Sequence, residues 1–276
     1  MWTPAARAEL ARESLPYASS VTDTEWALIA PLLPEPSRAG RPWRWPLRAI
    51  LDGIQYVLRT GCAWRHLPLD FPPWSTIHRW FLRLSKAGVF ERLAHALTMA
   101  DRARAGREAS PTGAILDAQA ARSGGVGVKG ERGYDPARRV VGRKRHALTD
   151  MDGRLLLATV STADRHDSHG GVALLQASRR LWPFLAHCFA DQAYQGERVG
   201  DATAITVEIV RPDKGQKGFA VQPRRWVIER TFGWIARCRR LARDYEATPS
   251  SALAFFVLAA AMILVRRLAH PLWNGV

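Results

Sequence analysis

The chain is organised around the segment Arg224–Tyr245, which reads RRWVIERTFGWIARCRRLARDY. On a helix turning about 100° per residue, one side would carry an apolar stripe of Val227, Thr231, Trp234, Cys238 and Leu241. The other side carries Glu229, surrounded by Arg225, Gly233, Arg237, Arg240 and Arg243. This glutamate is either the ion-pair partner of Arg225 on a helix surface or a metal ligand in a surface that binds phosphate. The helix alone favours the ion pair.

The composition predicts a basic protein with a polyanionic partner. Lys and Arg number 40 against 25 acidic residues, and the net charge is +15. DNA, RNA or an anionic membrane surface could attract such a charge. Three distant cysteines without a CxxC pair predict neither a disulfide framework nor a zinc site, which is typical of a reduced, cytoplasmic compartment. The longest apolar run, Ala252–Val265, is 14 residues, shorter than a membrane span, and predicts a buried helix.

The first hundred residues have helical patterns. Thr22 and Glu25 form a capping-box pattern before an apolar series. Helices are predicted over Leu47–Arg59, over Thr76–Ala87 with Ser75 as its cap, and over Val89–Arg104. We expect a flexible tail at 1–20, a helical domain at 21–105 and a linker at 106–113.

The predicted helices have the layout of a helix-turn-helix. The recognition helix would begin at Ser75 and turn Thr76, His78, Arg79 and Arg83 toward the major groove of DNA. The alternative is a plain three-helix bundle with a solvated basic face.

Strand patterns begin after the linker. Runs at Gly113–Gln119, His187–Ala190 and Ala204–Val210 predict strands, and Asp150–Gly153 predicts a turn that joins Arg138–Thr149 to Arg154–Thr162 as a hairpin. Helices are predicted over Ser168–Leu181 and over Ala252–Arg267, the second capped by Ser250 or Ser251. This order predicts an α/β domain with a mixed sheet over 114–246, with the apolar helix of 247–276 packed on it.

Two further carboxylates could meet Glu229. Asp117 lies on the first predicted strand, and Asp191 follows the strand that comes after the helix. Functional residues of open α/β sheets lie at such strand ends. Three converging carboxylates repel one another unless they are neutralised, and Mg²⁺ prefers such hard oxygen ligands. Asp117 as a strand-end cap, Asp191 as a turn former and Glu229 as an ion-pair partner stay open at this point.

Basic residues cluster near these carboxylates. Arg143, Lys144 and Arg145 lie on one hairpin strand, and Arg237 and Arg240 share the predicted face of Glu229. A solvated strand face or helix face is the plain interpretation. Their density beside the proposed site favours contacts with phosphate.

Several motifs resemble one known family. They are ILDAQAARS around Asp117, GYDPARRVVGRKRHALTDMDGRLL at 133–156, ADQAYQG around Asp191 and the stretch around Glu229. The N-terminal segments WALIAPLLPEP and GRPWRWPLRAILDGIQYVLRTGCAWRHLP match as well. Together they resemble the bacterial insertion-sequence transposases of the IS-five-like group, within the DDE superfamily, over almost the whole chain from Asp23 to Leu268.

The resemblance implies a ribonuclease H-like, retroviral-integrase-like catalytic domain in which Asp117, Asp191 and Glu229 are the DDE triad. The triad would hold two Mg²⁺ ions, for which Mn²⁺ could substitute. Arg225 matches the arginine of the extended glutamate motif and is expected to contact DNA. Gln222 and Ala236 depart from that motif, in which a tyrosine and a basic residue are expected.

The implied activity is binding of the terminal inverted repeats of the element, hydrolysis at its ends and transfer of the freed 3′-hydroxyl to target DNA. The expected partners are double-stranded DNA, as transposon ends and target, and further copies of the chain in a homodimer or larger synaptic assembly. No membrane partner is expected, and the location is the cytoplasm, at the nucleoid when DNA is bound. The alternatives are a non-catalytic DNA-binding protein, such as a repressor or a domesticated transposase, and a nuclease without strand transfer.

Overall fold

The structure is a computed structural model that describes residues 4, 11–12, 14–35, 43–124, 130–201, 203–211 and 224–270. Half of the expected tail at 1–20 is described, as residues 4, 11–12 and 14–20, whereas the loop predicted at 211–222 lies outside the described residues beyond Arg211, and so does Gln222. The molecule is built from N-terminal helices and an α/β unit with a mixed sheet, as the sequence predicts.

In the described residues, the N-terminal part contains the α-helices α1 (Asp23–Ile29), α2 (Leu47–Thr60), α3 (Trp74–Lys86) and α4 (Val89–Arg104). The capping box of Thr22 and Glu25 is confirmed, and α2 ends in a C-cap at Gly61, which has a φ of 74°. The predicted cap at Ser75 is wrong. The helix begins at Trp74, two residues earlier than predicted, because the carbonyl of Pro73 accepts hydrogen bonds from the backbone N–H of Thr76 (2.8 Å) and of Ile77 (3.2 Å).

The sheet consists of β1 (Gly113–Arg122), β2 (Gly133–Asp135), β3 (Val140–Asp150), β4 (Leu155–Thr162), β5 (His187–Ala190) and β6 (Thr206–Ile209). Its order is β2-β3-β1-β5-β6, and β4 also pairs with β3. The predicted hairpin is confirmed as β3–β4, with Gly153 in its turn at a φ of 91°. The short β2 strand was not predicted.

Helices cover both faces of the sheet. One face packs against α5 (Asp167–Leu181), and the short helix α6 (Glu197–Gly200) lies beyond it. The other face shares a core with α7 (Arg225–Ala236), with α8 (Pro249–Ala269) and with the N-terminal helices. This layering places the sheet between two helical layers.

The last helix is the central element of the larger core. Helix α8 packs against α1, α3, α4 and β4, and Phe255 stacks on Phe81 of α3 with ring centroids 4.3 Å apart. Its cap is Thr248, not Ser250 or Ser251, because the Thr248 hydroxyl accepts from the N–H of Ser251. With 21 residues it is longer than the predicted apolar run, and it is long and apolar enough to cross a membrane by length and composition. A single helix of this kind is weak evidence for a span, because a buried core helix has the same length and composition, and 67% of the most apolar stretch of α8 is buried inside the protein.

Helix α7 is shorter than the sequence predicts. It ends at Ala236, and a 3₁₀ helix follows at Arg239–Leu241. The helical face that carries Glu229 therefore stops at Arg237, and the prediction that it extends to Arg240 and Arg243 is wrong. The apolar stripe on the opposite side is buried at Val227, Thr231 and Cys238.

Candidate active site

Strand pairing brings Asp117 and Asp191 side by side. Strand β1 pairs in parallel with β5, and Leu116 lies opposite Ala190 as the last pair of this register. Asp117 is the next residue of β1, which continues beside β3, and Asp191 directly follows the end of β5, so the two aspartates lie next to each other. The Asp117 carboxylate accepts a hydrogen bond from the N–H of Ala118 at 2.7 Å, and that of Asp191 accepts from Ala193 at 2.9 Å. Each aspartate therefore has one oxygen fixed by the backbone.

Glu229 comes from a helix that is anchored on the β3–β4 turn. The hydroxyl of Thr231 donates to the carbonyl of Gly153 at 2.9 Å, and Arg230 donates to the carbonyl of Asp152, also at 2.9 Å. Gly153 must be a glycine here, because a Cβ atom would lie 2.6 Å from the Thr231 hydroxyl and its φ is positive. These contacts fix the rotation of α7 and direct Glu229 toward the two aspartates.

The guanidinium of Arg225 lies among the three carboxylates. Its Nη2 atom is 3.5 Å from Glu229 Oε1, 3.9 Å from Asp191 Oδ2 and 4.0 Å from Asp117 Oδ2. The ion pair of Arg225 with Glu229 is thus present, but it is one part of a four-residue cluster. The arrangement joins a strand, a strand end and a helix that are far apart in sequence.

The electrostatic surroundings of the two aspartates differ. Asp117 is buried, with 8% of its surface exposed. Burial raises the pKa of Asp117 to about 6. The hydrogen bond from Ala118 and the charges of Arg225 and Arg138 oppose the rise, whereas the charge of Asp191 adds to it. The side chains of Asp191 and Glu229 are more open to solvent.

Tyr194 is a residue of this site that the sequence reasoning missed. It is 1% exposed, and its hydroxyl has no hydrogen-bond partner in the described part of the chain. Burial raises its pKa well above the ordinary value, and the charges of Asp117, Asp167 and Asp191 add to the rise. Gly171 makes room for its ring, since a Cβ atom there would lie 2.7 Å from the ring. The available signal was an aromatic residue three positions after Asp191.

The three carboxylates fit a divalent cation by their chemistry. In the described ranges, no three His, Cys, Asp or Glu side chains lie close enough to form a metal cluster. One oxygen of each of the three carboxylates nevertheless lies within 4.0 Å of a single cationic nitrogen, Nη2 of Arg225. Hard carboxylate oxygens are the ligands that Mg²⁺ prefers.

The predicted recognition helix exposes only part of the residues assigned to it. Arg79 and Arg83 are exposed, and with Thr76 and Trp80 they line a shallow groove. Ser75 is half-buried, and its carbonyl accepts a hydrogen bond from Arg79. His78 is turned inward against Trp64, with ring centroids 4.9 Å apart. Burial and the charge of Arg240 lower the pKa of His78.

The basic residues of β3 do not lie on the surface. Arg143 pairs with Asp244 at 3.0 Å, Lys144 pairs with Asp167 at 2.9 Å, and Arg145 donates to the carbonyl of Leu241 at 2.8 Å. All three are buried. The reason is that β3 is an interior strand, and the segment after α7 folds back across it. The expectation that these three residues contact DNA phosphate is therefore wrong in this structure.

Arg240 is buried, whereas Arg237 is exposed. Arg240 is buried because the 3₁₀ helix turns it inward, where it pairs with Glu246 at 2.7 Å and donates to the carbonyl of Cys62. Its predicted phosphate contact is also wrong in this structure. Arg237 is exposed at the end of α7, on the same side as Glu229.

Comparisons with known proteins match two parts of the chain to described families. Residues 108–264, more than half of the chain, match the family profile described as "Transposase DDE domain", and residues 21–94 match "Putative transposase of IS4/5 family". The "Insertion element IS402 uncharacterized 16.2 kDa protein" of Burkholderia cepacia is 40% identical over 116 residues, which are 40% of this chain and 77% of the relative.

A second relative from the same organism is the "Putative transposase for insertion sequence element IS402". It is 28% identical over 131 residues, which are 44% of this chain and 62% of that protein, so less than two thirds of its length is matched. No solved structure matches the chain.

The pKa of Asp117 leads to a pH-dependent prediction. Because its folded-state pKa of about 6 lies above the unfolded value, Asp117 contributes stability that is fully present below about pH 4 and is lost as pH rises through 6. Without divalent ions, we expect Asp117→Asn to be more stable than the wild type at pH 8 by about 2–3 kcal/mol, and equally stable at pH 4. Urea unfolding at the two pH values measures this difference.

The matched control is Asp23→Asn, whose side chain is exposed beside Arg48. Its effect should stay below about 1 kcal/mol at both pH values. Equal stability of Asp117→Asn and the wild type at pH 8 would contradict the raised pKa.

Proposed function

Because the chain belongs to the insertion-sequence transposases with a DDE domain, we propose that Asp117, Asp191 and Glu229 are its catalytic triad for DNA cleavage and strand transfer. One observation carries the proposal. The three carboxylates come from β1, from the end of β5 and from α7, and all three meet around Arg225. Converging like charges repel one another and cost free energy. Their presence at one place therefore favours a role in binding or chemistry.

The proposed reaction acts on phosphodiester bonds. The oxygen of water attacks phosphorus at the transposon end, the bond from phosphorus to the 3′-oxygen breaks, and a 3′-hydroxyl and a 5′-phosphate result. The 3′-hydroxyl then attacks a phosphodiester of the target DNA and displaces one of its 3′-oxygens. The number of phosphodiester bonds is conserved in this second step, so it needs no external energy source.

The residues have distinct proposed roles. Asp117, Asp191 and Glu229 would hold Mg²⁺, with Mn²⁺ as a substitute, which when bound supplies positive charge for the attacked phosphate. Hydrogen bonds from Ala118 and Ala193 orient the two aspartates. Arg225 offsets part of the negative charge of the three carboxylates within the protein and offers a guanidinium to a DNA phosphate. Thr231 positions Glu229 through Gly153.

The sheet supports a ribonuclease H-like catalytic domain over 114–246. Its first three long strands, β1, β3 and β4, are antiparallel neighbours, and β5 and β6 continue the sheet in parallel on the other side of β1. We propose that the helical domain of 21–105 binds DNA, and that the apolar helix α8 joins it to the catalytic domain.

The DNA-binding role is supported by the exposed side of α3. Arg79, Arg83 and Thr76 lie there together, and Gly53 allows α2 to pack closely beneath the helix against Ile77. The terminal inverted repeats are the proposed DNA ligand, and because two ends must be joined, the active form would be a homodimer or a larger synaptic assembly. The proposed place of action is the cytoplasm, at the nucleoid.

Cleavage of the element's own ends tests the triad. We expect Mg²⁺-dependent nicking and a joined product with the wild type, and at least about a hundredfold slower cleavage with Asp191→Asn or with Glu229→Gln, because each removes one charge from the site. The control is Glu197→Gln, an exposed acid on α6, which should cleave like the wild type.

Three other outcomes have clear meanings. Equal cleavage by the wild type and Asp191→Asn would reject the triad. Binding without any cleavage would favour the non-catalytic DNA-binding protein. Cleavage without a joined product would favour a nuclease.

The exposed side of α3 gives a second test. The double variant Arg79→Gln, Arg83→Gln should bind a terminal-repeat duplex more weakly, and the slope of log affinity against log salt should fall by about 2, since each lost phosphate contact contributes about 0.9. Arg180→Gln, an exposed arginine of α5, is the matched control. An unchanged slope in the double variant would exclude this face of α3 from the DNA contact.

A further inference from the structure

A cavity of about 190 Å³ opens to solvent between α2, α8 and the C-terminal end of α7. Leu58, Met262 and Ile263 form apolar parts of its wall, and Gln55 and three arginines form the polar part. The cavity is smaller than typical pockets for drug-sized ligands, so it suits a small group.

Three guanidinium groups from separate elements line the cavity. Arg59 comes from α2, Arg237 from the end of α7 and Arg266 from α8, and none of the described lining residues is acidic. Glu25 is the acid nearest to Arg266 at 3.9 Å, and it is shared with Arg12 and His270. Burial lowers the pKa of Arg266 to about 10, with further contributions from the charges of Arg12 and Arg59. Arg266 is therefore charged at neutral pH and is repelled by the neighbouring guanidinium groups of Arg12 and Arg59.

Two donors at the cavity lack hydrogen-bond partners in the part of the chain that the structure describes. Gln55 is 2% exposed, and its amide nitrogen is one of them. The Nε of Arg266 is the other. A buried donor without an acceptor costs free energy, and so does a set of neighbouring like charges. A ligand with several acceptor oxygens and a negative charge would remove both costs.

We propose that this cavity is a binding site for a phosphate-type oxyanion. Guanidinium groups suit phosphate because their N–H groups can donate two hydrogen bonds to one phosphate. The amide of Gln55 adds a neutral donor at the base. The phosphate is either free in solution or belongs to the backbone of bound DNA. In both cases it would join α2 of the helical part to the end of the helix that carries Glu229.

The site does not depend on the proposed cleavage chemistry. A wild type that fails to cleave DNA would overturn the proposed function and leave phosphate binding intact. Loss of phosphate binding would leave the triad intact.

The test is a titration of the full chain with inorganic phosphate, followed by calorimetry and by the melting temperature, against sodium chloride at equal ionic strength. We expect saturable binding and a rise in melting temperature that chloride does not reproduce. In Arg59→Gln and in Arg266→Gln the dissociation constant for phosphate should rise about tenfold or more. Arg180→Gln should bind phosphate like the wild type.

The variants are expected to fold. Without phosphate, Arg59→Gln should melt no lower than the wild type, because it removes repulsion from Arg266. Arg237→Gln, at an exposed position, is a third variant with the same expected loss of phosphate binding. Phosphate binding that is absent in the wild type, or unchanged in all three variants, would overturn the proposal.

A duplex DNA arm identifies the source of the phosphate. If Arg59→Gln weakens both phosphate and DNA binding, the site takes a backbone phosphate. If it weakens phosphate binding alone, the site takes free phosphate. Both results support the oxyanion site.

Discussion

The parallel register between β1 and β5 is the constraint on which the candidate active site depends. It places Leu116 opposite Ala190, and the residues that follow are Asp117 and Asp191. A slip by one residue would turn one of the aspartates to the other face of the sheet. The register is held by a sheet that is covered on both faces, since Leu116 and Ala190 belong to the core with α5 while Ile115 and Phe189 belong to the core with α7 and α8.

The convergence of three carboxylates shapes the rest of the site. Asp117 is buried beside Asp191, and its raised pKa shows that ionisation has a cost there. Arg225 offsets part of this cost, as the distances of 3.5 to 4.0 Å to all three carboxylates indicate. The anchoring of α7 on the β3–β4 turn keeps Glu229 in place despite the repulsion. In the proposed function, the clustered carboxylates lower the stability of the free protein, and the same cluster binds a divalent cation and a DNA phosphate.

Much of this could be predicted from the sequence. Apolar spacing and turn residues predicted the N-terminal helices and the β3–β4 hairpin, because these signals are local. The three carboxylates were predicted from strand-end positions and from the family resemblance, and the structure places all three within 4.0 Å of Arg225. The failures concern contacts between distant segments. The burial of Arg143 and Arg145 depends on the return of residues after α7 across β3, and a run of arginines in the sequence does not indicate that return. Tyr194 was missed because its burial beside the aspartates depends on the packing of α5 at Gly171.

The central claim is that Asp117, Asp191 and Glu229 act as one site for a divalent cation. Titration of the full chain with Mn²⁺, followed by electron paramagnetic resonance of the free ion, tests it most directly without requiring DNA or catalysis. We expect saturable binding by the wild type that is strongly weakened in Asp191→Asn and retained in Glu197→Gln. Equal Mn²⁺ binding by the wild type and Asp191→Asn would contradict it.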